Sequence, residues 1–263
     1  MPLGLPSGLQ AWGGRLNEIG FERTRRALAA LALSMFMTLY LLVALNAPEG
    51  LGAALVALAA CYAVAFVAVV AEWFWGRWFA TGLGMSGIMV AIASLAMLGW
   101  TPVLALYGGL HALVVAVLTG KKMAARYDLQ EGWRQRYQMD EFGVARLRKT
   151  VTRAAASLPS LILWALGPKE GAAAVAAVAA TLLAATGLRG LVRMRSWGIL
   201  ALGGALALVG VFGHVASVLG GVPMGSLGLS AGLGGLFGAP LAFVLLAGAV
   251  APFARPVARF LRR

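Results

Sequence analysis

The sequence predicts an all-α fold: a polytopic integral-membrane helix bundle of about eight transmembrane helices, with both termini in the cytoplasm. Three observations carry that expectation. Of 263 residues, 61% are hydrophobic and only 12% charged, with a mean hydropathy of +0.86, against about 45–50% apolar and about 25% charged in soluble domains. Apolar runs recur at the length a helix needs to cross the bilayer, about 20 residues for about 30 Å of hydrocarbon. The basic residues crowd into every second loop between those runs, as the positive-inside rule requires. A soluble domain, a disordered chain, a collagen and a disulfide scaffold are thereby excluded.

Taken in chain order, the expected spans are Ala27–Leu45, Leu51–Ala71, Phe79–Leu98, Pro102–Thr119, Ala154–Gly167, Gly171–Gly187 and Trp197–Val218, with a last apolar stretch over Gly221–Ala254. Arg23, Arg25 and Arg26 precede the first run without a short apolar core and small-residue cleavage site, so that run reads as a span and not as a signal peptide. Counting eight spans puts 1–26, 72–78, 120–153, 188–196 and 255–263 on one side, and these segments hold 21 of the 22 Lys and Arg residues. The opposite loops hold only Lys169, beside Glu49 and Glu170. Trp73, Trp75, Trp78 and Trp197 fall at the inner boundaries and Trp100 and Trp164 at the outer ones, the arrangement of an aromatic belt. The net charge of +13 is accounted for by these loops, so no nucleic acid is expected among the partners.

Three segments follow: a first four-helix half over 1–119, a basic linker over 120–153 and a second half over 154–263. The halves share local patterns. Leu45-Asn46-Ala47-Pro48-Glu49-Gly50, Gly76-Arg77-Trp78 and Pro102 are echoed by Leu166-Gly167-Pro168-Lys169-Glu170-Gly171, Arg195-Ser196-Trp197 and Pro223. Four spans per half would make this a 4+4 parallel repeat about an axis along the membrane normal, although Ala/Gly/Leu-rich sequence also generates such matches by chance. The linker carries nine Lys/Arg and four acids. Leu129, Trp133 and Tyr137 recur every four residues, which places them on one helix face. A basic helix with an aromatic stripe suits an anionic membrane surface. Lys121, Lys122, Arg126, Trp133, Arg134, Arg136, Tyr137, Arg146, Arg148 and Lys149 are therefore the candidate contacts to anionic phospholipid headgroups or a partner protein. The plainer expectation is a topology-setting linker whose aromatics pack under the bundle.

Little in the spans points to chemistry. None carries Asp, Glu, Lys or Arg near its centre, which argues against an ion-coupled pump working through carboxylates. Glu72 sits at the inner end of the second span within reach of Arg77. The single Cys61 excludes an intramolecular disulfide and a cysteine metal cluster. His111 and His214 are the two histidines, and mismatched depths make packing roles the better expectation than a shared haem. Gly84-Met85-Ser86-Gly87 resembles the serine motif of rhomboid intramembrane proteases, which would imply a Ser–His pair. Ser86 lies in the inner half of its span, however, and His214 lacks the closely following paired glycines of that family. Gly82, Gly84 and Gly87 are better explained by close helix approach.

The last stretch, Gly221–Ala254, is too long for one upright span and too short for two. Eight glycines lie between Gly220 and Gly238, followed by Pro240. Gly221, Gly225, Gly228, Gly232 and Pro240 are thus candidates for tight helix packing or for a broken helix lining a substrate path. No catalytic residue, metal or cofactor is expected. The leading functional expectation is a non-enzymatic structural or accessory subunit of a larger membrane assembly, with the lipid bilayer and other membrane-protein subunits as partners. The alternative is a transporter or flippase for a lipid or small uncharged solute. Composition rich in Ala, Gly, Leu and Arg suggests the cytoplasmic membrane of a bacterium.

Overall fold

A computed structural model describes the backbone of residues 7–48, 51–128, 130–166, 169, 171–219 and 238–254, and the side chains of 21–48, 51–128, 130, 132–166, 169, 171–213 and 238–254. Among these residues the chain is helical and forms no strand. The helices are α1 (Ser7–Leu45), α2 (Leu51–Val70), α3 (Gly76–Leu98), α4 (Pro102–Leu118), α5 (Lys121–Asp128), α6 (Glu131–Tyr137), α7 (Glu141–Leu166), α8 (Gly171–Val192), α9 (Trp197–Leu219) and α10 (Ala239–Val250), the last continued by a 3₁₀ turn over Ala251–Phe253.

Four helical segments are long and apolar enough to cross a membrane: Phe21–Leu45, Leu51–Val70, Gly76–Leu98 and Gly171–Val192. The pair α4–α5 would be a fifth only as a broken element, because the two helices meet at 73°. Gly120 makes that corner at φ 111°, a backbone conformation that a side chain would strain. The start of α4 is set locally, with Pro102 in its first turn and the Thr101 hydroxyl accepting from the Leu104 amide at 3.4 Å. Its end is capped from outside by Arg25, which donates to the carbonyls of Ala116, Val117 and Thr119.

Several boundaries differ from the sequence expectation. The helix that holds the expected span Ala27–Leu45 extends N-terminally to Ser7, its apolar part covers Phe21–Leu45, and Arg25 and Arg26 within that part find partners on neighbouring elements. Residues 141–153 join the expected span 154–167 as one helix, α7, with Pro159 inside it. Trp133 and Tyr137 share α6, which is only seven residues long and ends where Gln138 turns left-handed at φ 48°; Leu129 lies outside the described residues. Gly221, Gly225, Gly228 and Gly232 also lie outside them, whereas Pro240 is exposed in the first turn of α10.

Each half closes on itself. Helices α1, α2, α3 and α4 pack in sequence and α4 returns to α1; α7, α8, α9 and α10 do the same, with α10 returning to α7. The halves meet mainly where α7 lies on α3. Gly82 permits this crossing, because a Cβ there would collide with the Thr152 carbonyl and approach the Ala155 methyl to 2.8 Å. Helices α2 and α8 end alike. Glu72 (φ 53°) and Met194 (φ 56°) each turn left-handed, after which the Trp73 and Arg195 amides donate back to the Ala68 and Gly190 carbonyls at 3.0 and 2.8 Å.

Candidate functional site

At the end of the bundle where α2 stops and the linker begins, polar side chains are locked together. Arg77 and Asp128 form a buried ion pair in which Nε donates at 3.1 Å and a second guanidinium nitrogen reaches the other carboxylate oxygen. The Trp78 indole donates to the same carboxylate at 2.8 Å, and Arg148 stands 3.7 Å away. Two charges taken out of water need such multiple bonds to offset their desolvation. Glu72 does not pair with Arg77 as its position in sequence suggests; it is held by Arg26 and by Arg126 at 2.8 Å. Tyr127 donates to the Val69 carbonyl at 2.8 Å and Gln130 to the Glu72 carbonyl at 2.9 Å, so α5 is strapped across the end of α2.

Trp133 of α6 is buried here, stacked on Phe74 at 4.3 Å between centroids, and its indole N–H has no acceptor among the described residues. Trp78 and Trp164 are likewise buried, not lipid-facing as belt residues would be, while Trp73, Trp100 and Trp197 are exposed. Of the other basic candidates in the linker, Lys121, Lys122, Arg136, Arg146, Arg148 and Lys149 are exposed and Arg134 is half-buried. Arg136 lies over the ring of its neighbour Tyr137, and Arg146 over Phe253.

Inside the first half, His111 is fully buried. Its Nδ1 lies 2.8 Å from the Tyr107 carbonyl and its Nε2 2.7 Å from the Tyr62 hydroxyl. A carbonyl only accepts, so Nδ1 carries the proton and Nε2 accepts from Tyr62. Phe36 covers the ring at 3.8 Å between centroids, and Tyr40 and Tyr107 share a hydrogen bond at 3.1 Å. A Cβ on Gly87 would overlap the imidazole, so this glycine exists to admit the ring. Ser86 is buried with no hydrogen-bond partner among the described residues, and both ring nitrogens of His111 are engaged elsewhere. The side chain of His214 lies outside the described residues. No group of three or more metal-ligating side chains occurs among the described residues.

A groove of about 860 Å³ lies between α2 and α8, floored by α7. Ala57, Ala60, Cys61 and Val64 form one wall and Thr181, Leu182, Ala185 and Leu188 the other, with Leu158 and Ile162 beneath. The groove persists because α2 and α8 each pack on α7 while their small residues leave the space between them open. At its linker end it is lined by Glu72, the aromatic residues 73–75, Gln130, Trp133, Arg189 and Arg193. A cavity of this size falls within the range of small-molecule sites, about 300–1,000 Å³. In the sequence, Arg189 and Arg193 stand only as part of the basic segment 188–196. Their spacing of four, across the last turn of α8 and the residue just beyond it, is the available hint of a shared face. No known family model, no curated protein and no solved structure matches the chain.

Proposed function

We propose that this chain is a non-enzymatic multi-pass membrane protein that admits a lipid sideways between α2 and α8 and acts as a transporter or flippase. The groove carries this reading: it is walled by hydrocarbon, ends in cationic and aromatic side chains, and flanks helices apolar enough to lie in a bilayer. Eight spans, a 4+4 parallel arrangement and cytoplasmic termini belong to the proposal. They are supported by the two closed four-helix halves, by the matching ends of α2 and α8, and by the one-sided distribution of Lys and Arg. The proposed setting is the cytoplasmic membrane of a bacterium.

A second reading, an accessory subunit of a membrane assembly, is favoured by the large apolar side chains exposed on α3 and α4, among them Ile92, Val103 and Leu106. Native mass spectrometry after mild extraction separates the two. Lipid carried by a monomer or homo-oligomer is the expected result. Defined protein subunits without retained lipid would overturn the lipid reading and install the subunit one. A fluorescent-lipid scrambling assay in proteoliposomes then tests movement between leaflets.

A further inference from the structure

The groove is chemically lopsided. Its deep part is hydrocarbon apart from Cys61 and Thr181, and the Thr181 hydroxyl is turned onto the Ala177 and Leu161 carbonyls. Its mouth is cationic. Arg189 in the last turn of α8 and Arg193 just beyond its end lie four residues apart, both exposed, and neither guanidinium has an ion pair or hydrogen-bond partner among the described residues. Among the described residues Glu72 is the one carboxylate lining the mouth, and it is already held by Arg26 and Arg126. Trp133 lines the same mouth at 8% exposure, with its N–H lacking an acceptor among the described residues. Buried indole N–H groups ordinarily find acceptors. Among the described residues, two guanidiniums without a counter-charge and one buried donor without an acceptor thus gather at one end of an apolar slot.

We infer that the groove's occupant is an anionic phospholipid drawn from the leaflet on the linker side, with its phosphate at Arg189, Arg193 and the Trp133 N–H and its acyl chain between α2 and α8. This inference rests on the groove being a lipid site. Depth sets the leaflet: from Ala57 to Ala71 the groove follows α2 for about 21 Å at 1.5 Å per residue, which is one leaflet of a hydrocarbon core about 30 Å thick plus part of its headgroup layer. Charge sets the headgroup. Guanidinium forks match phosphate oxygens in a bidentate way, and a choline head would bring its own cation against two arginines that have no carboxylate partner among the described residues. Free phosphate would leave the slot unfilled, so the chain-bearing form is the ligand.

The test is native mass spectrometry of delipidated, detergent-purified full-length protein, titrated with dioleoyl phosphatidylglycerol and dioleoyl phosphatidylcholine in competition. The expected result is a phosphatidylglycerol preference of about tenfold, equivalent to 1.4 kcal/mol. It should fall to within about twofold in Arg189→Gln/Arg193→Gln, whose side chains are exposed and not needed for packing. Trp133→Phe should weaken phosphatidylglycerol binding by a smaller factor. Equal binding of the two lipids, or a preference that survives the double variant, overturns the headgroup assignment while leaving the lipid groove intact. Displacement of phosphatidylglycerol by equimolar inorganic phosphate overturns it too. Ala185→Trp, placed on the exposed groove wall, should expel both lipids; if it still retains lipid at the parent stoichiometry, the groove reading itself fails.

Discussion

Replacing Asp128 by Ala tests whether the linker is built into the bundle or merely tethers its halves. The carboxylate accepts from two Arg77 nitrogens and from the Trp78 indole, and stands 3.7 Å from Arg148, with Arg77 and Asp128 at 7% and 3% exposure. Its removal leaves a buried guanidinium whose remaining contact is a 3.4 Å hydrogen bond to the Leu118 carbonyl. Breaking such a pair from one side costs about 3–5 kcal/mol, and stranding the Trp78 N–H costs about 1–3 kcal/mol. The terms overlap, so about 4–6 kcal/mol is expected. At about 2–4 °C per kcal/mol, the apparent Tm followed by circular dichroism in detergent should drop by roughly 10–20 °C. Arg77→Met combined with Asp128→Leu removes both charges and strands mainly the indole, so it should cost less than the single change. Glu72→Gln, whose carboxylate is 30% exposed, should cost no more than about 1 kcal/mol. A melting point for Asp128→Ala within about 2 °C of the parent, or a double variant less stable than the single one, would refute a buried, structure-bearing pair.

Three further outcomes follow from the packing. Gly87→Ala should destabilise by about 1–3 kcal/mol through overlap with the His111 ring, and adding His111→Ala should restore part of that loss; strictly additive effects in a chemical-denaturation cycle would show that the two sites do not touch. Arg25→Gln should cost about 1–2 kcal/mol because it removes a charge and its hydrogen bonds from the C-terminus of α4, with faster backbone hydrogen exchange confined to residues 114–119 as the signature. Burial pulls the Lys169 amine below its usual range. The unfolded chain therefore binds this proton more tightly, and stability gains from Lys169 as pH rises from the folded pKa towards 10.5; the difference in Tm between the parent and Lys169→Met should shift in the parent's favour over that window, and a pH-independent difference would contradict a desolvated amine.

What the linear sequence determined is whatever depends on composition and periodicity. Hydropathy alone made the chain helical and apolar, because in hydrocarbon each backbone amide must bond within its own segment. Helix starts such as Leu51, Pro102, Gly171 and Trp197 were readable to the residue, since proline, glycine and tryptophan mark those boundaries locally. The tertiary structure decided everything that depends on which faces meet. Trp78 and Trp164 had the composition of belt residues, yet both are buried, because the Asp128 carboxylate claims the first and the core the second. The basic linker carried an aromatic stripe on paper, but Asp128, Tyr127 and Gln130 pin it against α2 and α3, partners some fifty residues away in the chain. Arg189 and Arg193 illustrate the same limit: in one dimension they are two charges at a helix end. Only the spacing of α2 and α8 on α7, a consequence of small residues packing at long range, turns them into the cationic mouth of an apolar groove.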